Sequence, residues 1–115
     1  MPELGQIVVE RLPEVVVVAL LGEHDISTVP ALRTELDAAL AANANVVDLS
    51  EATFIDSSVV GVLFDAATPP VRIVAIAAAP GTLPRRLIDM LALTATVPVF
   101  DSREASVAYA TSEHT

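Results

Sequence analysis

Stretches of unbroken apolar residues alternate with stretches where apolar positions recur every three or four residues. The first pattern reads as buried strand, the second as helix packed on one face. Ile7–Arg11 and Val15–Leu21 predict two strands, with Leu12-Pro13-Glu14 turning between them. So short a connection predicts an antiparallel hairpin. The second strand is apolar throughout, as suits a strand covered on both faces. Gly22-Glu23-His24-Asp25-Ile26 leaves it as a loop. A helix is predicted from about Val29 to Ala42, with Val29, Leu32, Leu36 and Leu40 on one face. Ser27 or Thr28 can cap it, and Pro30 suits its first turn, where a missing N–H costs nothing. Asn43-Ala44-Asn45 ends it.

Val46–Leu49 predicts the third strand. A polar connection follows and closes on Asp56-Ser57-Ser58. The second helix is predicted from about Ser57 to Ala67, with Val60, Leu63 and Phe64 sharing a face. Gly61 inside it costs about 1 kcal/mol relative to alanine, so close packing of this helix against the sheet is expected there. Pro69-Pro70 separates it from a strand over Val71–Ala77. Pro80-Gly81 is a loop, and Pro84 opens a helix reaching about Leu93. Val97–Phe100 is the last strand. Asp101 or Ser102 can cap a final helix through about Ala110, before a frayed polar end, Thr111–Thr115. The order is β-β-α-β-α-β-α-β-α. It predicts an α/β fold, a central mixed sheet with about four helices, paired largely in parallel through right-handed crossovers. A chain of 115 residues without repeat, low-complexity segment or linker fits one domain over 1–115, ordered over about 5–111.

The Asp56-Ser57-Ser58 turn places two hydroxyls beside a carboxylate where a helix begins. Free backbone N–H groups there favour an anion, so a phosphate on either serine would be tolerated. Alone, the three residues read equally well as a helix cap. Their surroundings add to this. The hairpin, Gly22-Glu23-His24-Asp25, Thr28-Val29-Pro30, Val47-Asp48-Leu49-Ser50, Phe54-Ile55-Asp56-Ser57-Ser58 and Gly61-Val62-Leu63 occur in one order and spacing. In them the chain resembles the STAS domain, found in bacterial anti-sigma factor antagonists and in sulfate transporter tails.

The resemblance implies a STAS-type fold and a non-enzymatic switch. Ser58 matches the phosphorylated serine of the antagonists, with Ser57 as the second candidate. Asp56 and Ser57 shape the turn, and Asp25 is a neighbour of the phosphosite. Asp25, Thr28, Asp56, Ser57 and the helix turn bearing Val59, Val60 and Val62 form the implied docking face. The implied partner is an anti-sigma factor with serine kinase activity, which binds the unmodified form and phosphorylates it with ATP. A sigma factor is released while Ser58 is free, and a phosphatase resets the cycle. The alternative is a stand-alone STAS subunit of a membrane transport complex, whose domain would look the same. One residue departs from the motif: Val59 stands where the antagonists have glycine. Beside the acceptor, its bulk is expected to hinder a kinase or alter the surface a partner reads, and a chain that binds constitutively is a third reading.

The physics of such a switch is local. Phosphorylation adds about −1.5 to −2 charges and three acceptor oxygens. A partner packed over Ser58 would meet a buried, poorly paired charge, a cost of several kcal/mol. Asp25 and Asp48 also have plain readings, Asp25 as a surface loop residue and Asp48 as a strand-end carboxylate bonded to backbone N–H groups.

Charge narrows the partners. Fifteen acidic residues against six arginines give −9, with no lysine. Phosphate backbones and anionic membranes are repelled, whereas a basic protein face is attracted. Acidity also keeps so apolar a chain dispersed. No nucleic acid partner and no direct membrane insertion are expected. The longest apolar runs, Val15–Gly22 and Ile73–Pro80, fall short of the roughly 18 residues of a membrane span. The start of the chain has no basic patch before an apolar run, so no signal peptide is expected. With no cysteine there is no disulfide, thiolate metal site or cysteine nucleophile, which suits the cytoplasm.

Other chemistries fit poorly. A receiver domain would use the aspartates with Mg²⁺, but it needs a lysine this chain lacks. His24 and Asp25 with a serine make no hydrolase triad, since no Gly-x-Ser-x-Gly elbow is present. His24 and His114 lack metal-ligand spacing and read as exposed residues. No cofactor is expected.

Overall fold

In the computed structural model the residues described are 5–39, 44–67 and 73–112. Six strands and four helices follow in the order β1 (Gln6–Arg11), β2 (Val16–His24), α1 (Val29–Ala39), β3 (Asn45–Asp48), β4 (Ala52–Ile55), α2 (Ser57–Ala66), β5 (Ala75–Ala77), α3 (Leu83–Met90), β6 (Val99–Phe100) and α4 (Arg103–Thr111). The expected mixed sheet with four helices is present. The order differs from the prediction by one element, β4, inside the stretch read as a polar connection. The predicted residues Leu40–Asn43, Pro69–Arg72 and Glu113–Thr115 lie outside those described.

The sheet runs β1-β2-β3-β5-β6, with β4 paired to β2. β1 and β2 form the predicted antiparallel hairpin, and all other pairs are parallel. β2 is long enough to serve two partners. Val16–Ala19 pairs with β3, and Gly22–His24 pairs with β4 across a register shift between Gly22 and Glu23. Gly22 adopts φ +80 at the shift, a conformation that strongly favours glycine. The Gly22 N–H donates to the Glu51 carbonyl at 3.0 Å, which fixes the start of β4 beside it.

Alternation along β2 divides the core. Val16, Val18 and Leu20 join Leu32 and Leu36 of α1, Val59 and Leu63 of α2, and Ile88 of α3 in the larger cluster. Val15 and Val17 join Val46, Ala75 and Ala110 of α4 in a smaller one. The unbroken apolar runs of β2 and β3 follow from this two-sided burial. No helix among the described residues is long and apolar enough to cross a membrane.

Candidate functional site

The Asp56 turn exists because β4 ends on buried Ile55 and the chain turns directly into α2. Asp56 is the N-cap of α2, with extended backbone. Its Oδ1 accepts from the Ser58 N–H at 3.0 Å, the Val59 N–H at 3.2 Å and the Ser58 hydroxyl at 2.5 Å. One carboxylate therefore both caps the helix and holds the Ser58 side chain. Ser58 is half-buried and Ser57 exposed.

This alters the expectation of free amides awaiting a phosphate. Two of the first-turn N–H groups already have an anion, the Asp56 carboxylate. A phosphate on Ser58 would remove the hydroxyl proton donated to Asp56 and bring like charges together.

A second turn repeats the arrangement. Asp25 Oδ1 accepts from the Ser27 N–H at 2.9 Å and the Ser27 hydroxyl at 2.5 Å. The Ser27 hydroxyl, then its N–H, holds the Asp25 carboxyl below its ordinary value of 3.8. The parallel pairing ends with His24 opposite Ile55, so Asp25 and Asp56 leave neighbouring strands side by side. Both turns thus lie at one end of the sheet. Thr28, half-buried, donates its hydroxyl to the Asp25 carbonyl at 3.1 Å, which ties it to the loop.

A third turn has the same chemistry in another place. Asp48 Oδ1 accepts from the Ser50 N–H at 2.9 Å and hydroxyl at 2.6 Å. Asp48 faces Ala19 across the β2–β3 pair. That is five residues before His24, or about 17 Å along the strand. It is a tie and no part of the Ser58 surface. Its Oδ2 accepts from Arg103 Nε at 2.7 Å, and Arg103 Nη1 also meets Glu10 Oε1 at 2.6 Å. Asp48 first, then Glu10, holds the guanidinium above its ordinary value. Arg103 and Glu10 were not singled out from the sequence, because nothing local links residues 55 and 93 positions apart.

Three expectations need correction. Val59, Val60 and Val62 are buried at 0%, 1% and 2% exposure, so their side chains belong to the core and offer no docking surface. The bulk of Val59 points inward and adds no side-chain surface beside Ser58. His24, read as exposed, is fully buried. Its Nε2 lies 3.0 Å from the Leu21 carbonyl and 3.2 Å from that of Gln6, and its Nδ1 lies 3.1 Å from Thr28 Oγ1. Gly5 packs so closely on this ring that a Cβ would collide with it. Gly61, expected against the sheet, is exposed, and a Cβ there would meet nothing within 4 Å. His114 lies outside the described residues.

The sequence matches the STAS_2 family, described as "Mlab, STAS domain", over residues 7–96. The chain belongs to this family of STAS domains. Among solved structures it is similar to an anti-sigma factor antagonist from Mycobacterium paratuberculosis, at 26% identity and TM-score 0.84, covering 96% of this chain and 97% of that one. It shares its fold with the anti-sigma factor antagonist SpoIIAA in unphosphorylated form, at 18% identity and TM-score 0.69, over 96% and 100% of the two chains. The phosphorylated form of the Bacillus cell fate determinant SpoIIAA aligns at 21% identity and TM-score 0.61, over 90% and 98%. No curated protein matches the sequence.

Proposed function

We propose that the chain is an anti-sigma factor antagonist whose 115 residues act as one domain, and that it works in the cytoplasm. It binds an anti-sigma factor with serine kinase activity while Ser58 is free, and a sigma factor is thereby released. The observation that carries this reading is the Ser58 hydroxyl, held by Asp56 at 2.5 Å on the surface where Asp25 emerges alongside. The 26% identical Mycobacterium paratuberculosis antagonist, aligned over nearly the whole of both chains, supports the same role.

The kinase transfers the γ-phosphoryl group of ATP to Ser58 Oγ. A new P–O bond forms, the bond to ADP breaks, and the serine proton passes to a base of the kinase. The phosphate then lies beside two carboxylates, Asp56 and Asp25, on an already acidic chain. A partner closing over it would bury charge without a matching cation, and the complex comes apart. A phosphatase removes the group and restores binding. Asp25, Asp56 and Ser57 border the acceptor on the docking face. Thr28 holds the loop between them, and Ser57 is the lesser acceptor.

Capture from source-cell extract on native, Ser58→Ala and Ser58→Asp baits tests the proposal. Recovery of a serine-kinase anti-sigma factor on the first two, with at least a hundredfold less on the third, supports it. Equal recovery on all three overturns control by charge at Ser58. Recovery of a permease or transport ATPase in its place would replace the antagonist reading with the transport one.

A further inference from the structure

Gly61 weakens α2 where nothing inside the molecule asks for it. It is exposed, its φ is not positive, and a Cβ would meet no atom within 4 Å. A helical glycine without an internal reason points to something outside the fold.

Its position says what. At about 100° per residue, Ser57, Ser58, Gly61, Phe64 and Asp65 share one sector of α2, with Gly61 at its middle. This sector is the uncovered one. Ser57, Gly61 and Asp65 are exposed, and Ser58 and Phe64 half-buried. Val59, Val60, Val62, Leu63 and Ala66 fill the opposite side with core contacts. The absent side chain leaves a saddle between Ser57–Ser58 and Phe64–Asp65.

We infer that Gly61 is a contact position that governs access to Ser58, and that the partner's backbone or a short side chain seats in this saddle during phosphoryl transfer. The inference rests on the proposed function. Ser58 is half-buried and its Oγ is drawn toward Asp56. Catalytic groups that reach that oxygen must come down onto α2 itself, so any side chain one turn away stands in their path. The occupant is the serine-kinase anti-sigma factor, and charge supports a basic face on it. Asp25 and Asp56 flank the acceptor, Asp65 closes the far rim while paired to Arg33 at 3.2 Å, and the chain carries −9. Interface cores pack as tightly as interiors, so an added methyl group is felt there.

The test follows phosphoryl transfer from γ-labelled ATP in source-cell extract to native, Ser58→Ala, Gly61→Ala and Gly61→Leu chains, each also melted. Gly61→Ala should melt about 4 °C higher, because alanine favours the helix. It should nevertheless be labelled about tenfold more slowly. Gly61→Leu should be slower still while remaining folded. A merely structural role cannot separate stability and labelling in this way. Native-rate labelling of both Gly61 variants overturns the inference and leaves the switch intact. If the native chain is not labelled, or Ser58→Ala is labelled equally, the proposed function falls and this inference with it.

Discussion

An aspartate followed two residues later by serine recurs three times, and each time the carboxylate takes both the N–H and the hydroxyl of that serine. Local sequence sets this geometry, so the Asp56-Ser57-Ser58 turn was legible before any tertiary contact was known. Asp25 allows a direct check. Its folded carboxyl titrates below 3.8, so the ionised group favours the fold above that pH, and this contribution fades as pH falls through the lowered value. The Ser27 hydroxyl is the leading cause. Ser27→Ala should therefore move the Asp25 carboxyl resonance, followed by NMR, up toward 3.8 without reaching it, because the Ser27 N–H remains. An unmoved midpoint would remove the hydroxyl as the cause. His24 shows what one residue conceals. Its burial needs Gly5, just ahead of β1, packed on the ring and β2 ending opposite Ile55, contacts that no window around position 24 contains.

The strongly periodic or continuously apolar elements were readable because their burial is uniform. β4 was not, for its pattern is buried at Ala52 and Ile55 and exposed at Thr53 and Phe54, a spacing of three that breaks the alternation of a strand. It becomes a strand because β2 outruns β3 and offers an edge. On α2 the periodicity named a narrow apolar face, whereas sheet and helices cover a wide arc that takes in Val59 and Val62. The end of α3 is a matter of local conformation. Leu91 caps it and Ala92 adopts φ 60, ψ 29, the left-handed conformation usual for glycine. The Ala92→Gly substitution relieves about 1–2 kcal/mol of steric cost and adds roughly 0.5–1 kcal/mol of unfolded-chain entropy. The net expectation is about 0.5 kcal/mol of added stability, read as a higher urea midpoint with unchanged m-value. A lower midpoint would mean that α3 ends without strain.

Across the whole molecule the two faces of the sheet are unequally supported. The larger cluster holds α1, α2 and α3, whereas α4 contributes little more than Ala110 and Val107 to the smaller one. Arg103, at the first turn of α4, compensates by reaching Asp48 on β3 and Glu10 on β1. Asp48 has only 6% of its side chain exposed, so removing its cation leaves a buried charge, although both Ser50 donors remain. Arg103→Met should cost about 2 kcal/mol, less than a fully buried pair because the guanidinium is about a third exposed. Asp48→Asn removes the charge but keeps an oxygen for Ser50. If the tie holds α4 to the sheet, Arg103→Met combined with Asp48→Asn should lose at least about 1 kcal/mol less than the two single changes summed. Urea unfolding of the four proteins reads this coupling directly. Simple additivity would mean that α4 is held by its apolar contacts alone, and the coupled result would make one arginine the brace for the side of the sheet away from Ser58.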